Sequence, residues 1–223
     1  NMEGLQAAVW SPDNRCVAVA GAGGIVRVYN AVTKTQFLQL TGHGEFIRDL
    51  AWSPNGERIA VASVGGEIAD IKVWDATTGE SCGSMDDLTE SVAWLDDQGL
   101  VFVGSGGHTL KLWNVDAPQR NQGEFVDAAP SQVVVASPGR SSIARARAKE
   151  VIIYRREGDW LCLEGALTGH ARLVTDVAWH PAGNRIATSS RDGTIRIWDS
   201  ISCQQVLELP DCLGGSRTIE WSG

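Results

Sequence analysis

Short runs of alternating apolar and polar residues recur along the chain, and no long amphipathic run interrupts them. Val26 and Val28, Ile71 and Val73, and Ile195 and Ile197 each flank one polar residue. This period of two, rich in β-branched side chains, sets one face of a strand against a core. Turn residues separate the runs at regular places. Pro12-Asp13-Asn14, Pro54-Asn55-Gly56, Asp96-Asp97-Gln98-Gly99, Pro138-Gly139 and Pro181-Ala182-Gly183 close one class of strand, and Gly23-Gly24, Gly106-Gly107 and Asp192-Gly193 close the next.

The pattern repeats with a fixed period. Trp10, Trp52 and Trp94 stand 42 residues apart, Ala136 follows 42 further on within Val135-Ala136-Ser137-Pro138, Trp179 after 43 and Trp221 after another 42. A second marker, an aromatic followed by a polar residue, falls between them as Tyr29-Asn30, Trp74-Asp75, Trp113-Asn114, Tyr154-Arg155 and Trp198-Asp199. Each unit therefore predicts four short antiparallel strands, for unit one near 5–11, 16–21, 25–30 and 35–40. A lone sheet of that size is marginal in water, so the copies must stack and cover one another's apolar faces.

The best-formed copy runs from Leu167 to Ser200. It contains Gly169-His170, Val174-Thr175-Asp176-Val177-Ala178-Trp179-His180-Pro181 and Ser190-Arg191-Asp192-Gly193-Thr194-Ile195-Arg196-Ile197-Trp198-Asp199. With its Gly-His and Trp-Asp dipeptides at the two ends, this unit resembles a WD repeat. The resemblance implies an all-β fold, a β-propeller of four-stranded antiparallel blades: five recognisable blades, about 5–41, 42–88, 89–126, 127–167 and 168–210, plus the first strand of a sixth over 217–222. It also implies a structural hydrogen-bond set within the fifth blade: His170, Thr188 or Ser190, Asp192 and Trp198. The other units depart from it. His43 follows Gly42, but Gly65 to Asp70 reads as a turn insertion that leaves the matching Asp unplaced, and units one, three and four lack most of the set. Rings of this family typically have seven blades and close one blade with strands from both chain ends. Here both ends supply a first strand, so three readings stand: a fragment of a longer propeller, a closed five-bladed ring, or self-association through open blade edges.

Composition narrows the function classes. Of 223 residues 43% are apolar, with no run approaching a membrane span, and no targeting segment is apparent; Asn1 precedes Met2, as in a tag remnant or a trimmed start. A net charge of −8 disfavours a chain whose main work is neutralising phosphates. Arg140, Arg145, Arg147 and Lys149 form the one basic concentration, with Arg145 and Arg147 expected on a solvated strand face. Five cysteines without a Cys-x-x-Cys pair read as small buried thiols in a reducing, cytoplasmic setting. Gly21-Ala22-Gly23-Gly24 precedes a strand, so no helix N-terminus stands behind it to receive a phosphate. His43, His108, His170 and His180 lack metal-ligand spacing, and no serine lies in Gly-x-Ser-x-Gly. No cofactor and no metal are expected.

What remains is a binding surface on the rim of Gly-His turns. Strand order assigns Glu45, Glu67, Asp70, Asp86, Asp87, Glu90 and Asp127 to that rim over units two and three, and Arg147, Lys149, Arg172 and Arg191 to it over units four and five. The family's contact position just before the turn Asp corresponds to Arg191. The expected function is a non-enzymatic scaffold or sensor module that docks a protein or peptide. The alternative is a propeller enzyme or small-ligand binder that uses a central channel.

Overall fold

In the computed structural model, which describes residues 4–104, 108–117, 122–126, 133–158, 160–210 and 218–221, the chain forms five four-stranded antiparallel sheets in sequence order. The first holds β1 (Ala7–Trp10), β2 (Cys16–Gly21), β3 (Ile25–Asn30) and β4 (Thr35–Leu40). The second holds β5 (Phe46–Trp52), β6 (Arg58–Gly65), β7 (Ile68–Asp75) and β8 (Ser81–Asp86), and the third β9 (Ser91–Trp94), β10 (Gly99–Gly104), β11 (Thr109–Asn114) and β12 (Gln122–Val126). The fourth holds β13 (Val133–Ala136), β14 (Ser142–Arg147), β15 (Glu150–Glu157) and β16 (Trp160–Thr168), and the fifth β17 (Val174–Trp179), β18 (Arg185–Ser190), β19 (Ile195–Asp199) and β20 (Gln205–Leu209). No helix long and apolar enough to cross a membrane occurs among the described residues.

The chain divides into two compact units, 1–124 and 125–223. In the first unit, sheet one packs on sheet two through Val26, Val28, Leu40, Leu50, Trp52 and Ile59, and sheet two on sheet three through Ala62, Ile71, Val73, Trp94, Phe102 and Trp113. In the second unit, sheets four and five enclose Ala144, Val151, Ile153, Leu167, Val177, Ile186 and Trp198. The middle strands supply most of these residues because they are covered on both faces; β6 and β10 are almost continuously buried.

A repeated polar lock joins the inner strands. Trp52 Nε1 donates to the Val9 carbonyl at 3.3 Å, and Trp94 Nε1 to the Ala51 carbonyl at 3.0 Å. Each indole thus reaches the strand of the previous sheet, one repeat back. Asp49 adds a second tie: its carboxylate accepts from Val92 N at 3.0 Å and from Ser91 Oγ at 2.8 Å. Two polar groups on one strand, the Ala51 carbonyl and the half-buried Asp49 carboxylate, are satisfied by the next, which fixes register as well as proximity.

The same geometry returns in the second unit, at the segment 218–221. Ile219 N donates to Asp176 Oδ2 at 2.8 Å, and Trp221 Nε1 to the Ala178 carbonyl at 3.1 Å. Asp176 and Ile219 therefore repeat Asp49 and Val92. The strand expected over 217–222 lies partly outside the described residues, and Thr218–Trp221 is not paired as a strand. Burial raises the Asp176 carboxyl above its ordinary range, against the pull of the backbone N–H groups of Ile219 and Val177.

Two expectations from the sequence are corrected. Arg145 is not on a solvated face: it is fully buried at the centre of β14, paired across the ladder with Val134 and Ile152. The described cysteines are free, but they are not small buried thiols, since Cys82 is exposed and Cys16, Cys162 and Cys203 are half-buried on or beside strands. Cys82 and Cys162 lie on fourth strands and Cys203 just before one, where no further strand covers them. Cys212 and the Gly106-Gly107 turn lie outside the described residues.

If the inner-strand lock contributes as its geometry indicates, Asp49→Ala strips the acceptor from Val92 N and Ser91 Oγ and lowers stability by about 1–3 kcal/mol. Trp94→Phe, which keeps a buried ring but removes the indole donor, costs about 1 kcal/mol. Urea unfolding at neutral pH measures both, and an Asp49→Ala midpoint equal to the parent's would show the lock to be idle.

Candidate interaction site at the Gly-His rim

Antiparallel order puts two kinds of loop at the same end of each sheet: the turn between its second and third strands, and the segment that leads into its first. Both are short, so their side chains are carried by strands that the core holds rigid.

The fifth sheet shows how this end is fastened. His170 Nδ1 lies 2.9 Å from Asp192 Oδ2, His170 Nε2 lies 2.7 Å from Thr188 Oγ1, and Trp198 Nε1 donates to Thr188 Oγ1 at 2.8 Å. An ionised carboxylate only accepts, so Nδ1 carries the imidazole proton, and Nε2 accepts from the Thr188 hydroxyl, which in turn accepts from the indole. Asp192 also receives the N–H groups of Ala171 and Thr194 and the Thr194 hydroxyl. Burial works against its charge, but these hydrogen bonds prevail and hold its carboxyl far below the usual range. Burial keeps the His170 imidazole below its ordinary value, with Asp192 pulling the other way. Of the two hydroxyls expected to complete the set, Thr188 is in the chain. Ser190 instead donates to the Arg172 carbonyl at 3.1 Å and accepts from Asp192 N at 3.1 Å.

One register position explains why the second sheet, which keeps its Gly-His pair, lacks this chain; the first, third and fourth sheets have no Gly-His pair ahead of the first strand either. Thr188 sits two residues beyond the partner of Trp198 across the ladder. The matching positions hold Val19, Val61, Phe102 and Arg145, none of which offers a hydroxyl. In the second sheet the consequence is visible: His43 and Trp74 meet edge to face at 5.3 Å, and neither ring nitrogen of His43 nor Trp74 Nε1 has a hydrogen-bond partner. Gly65 to Asp70 is not a loop insertion, as expected, but an extension of β6 and β7 around a tight turn. Asp70 consequently lies within a strand, buried, where it accepts from Ser63 Oγ at 2.6 Å and pairs with Lys72 at 3.0 Å. Lys72 also donates to the Gly42 carbonyl. Burial foremost, then Lys72, pushes His43 down to about 4.

The rim residues expected from strand order divide by environment. In the first unit, Glu45, Glu67 and Asp86 are exposed with no ion pair among the described residues, whereas Asp70 is buried and Asp87 is largely covered by its 2.7 Å bridge to Lys111. In the second unit, backbone hydrogen bonds bring the basic loops together: Val174 N to the Ala148 carbonyl and Arg191 N to the Leu173 carbonyl, each at 2.8 Å. Lys149, Arg172 and Arg191 are exposed on these loops, while Arg147 is half-buried and lies 3.7 Å from Glu150. Asp127 lies outside the described residues.

At the opposite end of the first two sheets, the turns around Pro12, Pro54 and Ala76 surround a cavity of about 430 Å³ with Phe37 and Trp52 in its wall. Sequence reading did not find it, because its lining comes from turns of two successive repeats. No group of three or more His, Cys, Asp or Glu side chains able to hold a metal occurs among the described residues.

Comparison with known proteins agrees with this geometry. The family model described as WD domain, G-beta repeat, matches residues 34–75 and 161–199. The chain is 43% identical over 54 residues to U4/U6 small nuclear ribonucleoprotein PRP4 of Saccharomyces cerevisiae, a match covering 24% of this chain and 12% of that protein. It is 31% identical over 112 residues to Target of rapamycin complex subunit wat1 of Schizosaccharomyces pombe, covering 49% and 35% respectively. The C-terminal WD40 domain of Sif2 superposes with a TM-score of 0.77 at 16% identity, over 92% of this chain and 57% of that one. The matches thus span about a third or less of these two relatives.

The hydrogen-bond chain and its broken counterpart set two expectations. Thr188→Val removes the link between His170 and Trp198 and costs about 1–3 kcal/mol, whereas Val61→Thr offers a hydroxyl to the unpartnered Trp74 and His43 and raises stability by up to about 1 kcal/mol. A unfolded-state imidazole near 6.5 takes up its proton before native His43 does, so stability falls on acidification between about 6.5 and about 4, by up to about 1.4 kcal/mol per pH unit. His43→Leu flattens that slope in melting temperatures recorded from pH 7.5 to 4.5; an unchanged slope would remove His43 as its source.

Proposed function

This chain belongs to the WD-repeat, β-propeller family, and from that premise we propose that it is a non-catalytic interaction module whose Gly-His rim docks a protein or peptide partner. The sheets within each unit are read as stacked blades, with the rim loops as the working surface and the blade packing as the support. The observation that carries the reading is the second-unit rim, where backbone hydrogen bonds gather the loops bearing Lys149, Arg172 and Arg191 while those side chains stay in solvent. Groups held on a rigid frame lose little freedom on binding, which favours recognition over chemistry there.

The relatives support the same class. Their names describe one as a subunit of a complex and another as part of a ribonucleoprotein, and scaffolding is what repeated blades offer. The four described free cysteines fit a reducing, cytoplasmic setting.

Arg191 is the residue chosen to test the docking surface. With the chain immobilised and exposed to cell extract, Arg191→Glu is expected to reduce recovery of a specifically retained partner at least fivefold, with an unchanged melting curve. Equal recovery by the variant would move the docking surface off this rim.

A further inference from the structure

The rim of the second unit has a chemical bias that the docking proposal leaves unspecified. Three of its cations, Lys149, Arg172 and Arg191, are exposed and have no ion-pair partner among the described residues. The carboxylates closest to them along the chain are already engaged. Asp192, next to Arg191, is turned into the sheet, where it holds His170, the Ala171 and Thr194 N–H groups and the Thr194 hydroxyl. Glu150, next to Lys149, faces Arg147 at 3.7 Å. The fold thus spends its acidic groups on structure and leaves the cations uncompensated.

Cations on the third strands are compensated in both units, as Arg196 is by Glu208 at 3.1 Å in the second. Lys72 is bridged to Asp70 at 3.0 Å and Lys111 to Asp87 at 2.7 Å, both against carboxylates that are almost entirely covered. What sets the second unit apart is that three exposed cations without an ion pair among the described residues stand on loops joined by hydrogen bonds.

Their spacing is fixed by the backbone. The Ala148 carbonyl beside Lys149 takes the N–H of Val174, two residues from Arg172. The Arg172 carbonyl takes the Ser190 hydroxyl beside Arg191, and Arg191 N is bonded to the Leu173 carbonyl. Three loops from two adjacent sheets are stitched at one end, so the three charges form a set whose mutual repulsion the rigid frame sustains. Such a set has its most favourable electrostatics when an anion arrives.

We infer that the second-unit rim recognises an acidic peptide segment, its carboxylates lying against Lys149, Arg172 and Arg191. This rests on the docking role proposed above and names the chemistry of the partner. A peptide is preferred to nucleic acid because the whole chain carries a net charge of −8, so a polyanion extending beyond three cations meets repulsion, whereas a short segment does not.

The test uses the intact chain and a fluorescein-labelled decapeptide of alternating glutamate and glycine, followed by fluorescence anisotropy at 50 mM and 300 mM salt. Binding is expected, weakened at least tenfold by Arg191→Glu or Arg172→Glu and weakened by salt, and absent for the same peptide with lysine in place of glutamate. Glu67→Lys, on the first unit, leaves it within twofold. Circular dichroism melts confirm that each variant is folded, and Lys149→Glu provides a third arm if either arginine variant is not. No binding of the acidic peptide, equal binding of the lysine peptide, insensitivity to every rim reversal, or tighter binding of a ten-base single-stranded oligonucleotide would each overturn the inference. Retention of an extract protein through Arg191 without acidic-peptide binding would remove the acidic specificity alone, while loss of both would remove the docking surface as well.

Discussion

A sheet of four short strands cannot hold its shape in water, and in this chain each sheet is held by its neighbour. The contact is mostly apolar, but its direction and register come from a polar detail: an indole N–H on one inner strand bonded to a carbonyl one repeat back. Two sheets that only shared greasy faces could slide along one another. An indole that must find one carbonyl, beside a half-buried aspartate that must receive one N–H, removes that freedom. The rim loops keep fixed positions because the strands beneath them cannot shift.

Sheet four interrupts this scheme, and the interruption is local. Ala136 replaces the tryptophan and Val133 replaces the aspartate, so β13 offers neither tie, and Trp179 Nε1 finds no partner. Sheets four and five meet instead through apolar side chains and the bond from Val174 N to the Ala148 carbonyl. The internal hydrogen-bond chain of sheet five is rarer still, since only Thr188 among the five matching positions is a hydroxyl. Sheets form without it, so stacking is the general requirement and the chain from His170 to Trp198 an added fastening at one rim.

That fastening also shapes the surface above it. By drawing Asp192 inward, it leaves Arg191 without the carboxylate that sequence adjacency would suggest as its partner. In the first unit, by contrast, Asp70 and Asp87 stay beside lysines, and Glu45, Glu67 and Asp86 are exposed there with no ion pair among the described residues. The charge of each rim follows from which acidic residues the fold has already used.

The repeat, the strands and the family resemblance were legible in the sequence because each depends on local order: alternation marks strands, turn residues mark their ends, and a tryptophan every 42 or 43 residues marks the unit. The loops on which Arg172 and Arg191 lie followed from strand order for the same reason. Burial and pairing were not legible, because they depend on residues far apart in the chain. Arg145 alternates like a surface residue yet lies covered between β13 and β15; Asp70 reads as a turn residue yet lies in a strand against Ser63 and Lys72; the choice of Thr188 over Ser190 depends on where an indole from the next strand points. Periodicity fixes which residues share a strand face, but only the packed sheets decide which face is dry and which polar atoms come within hydrogen-bonding distance.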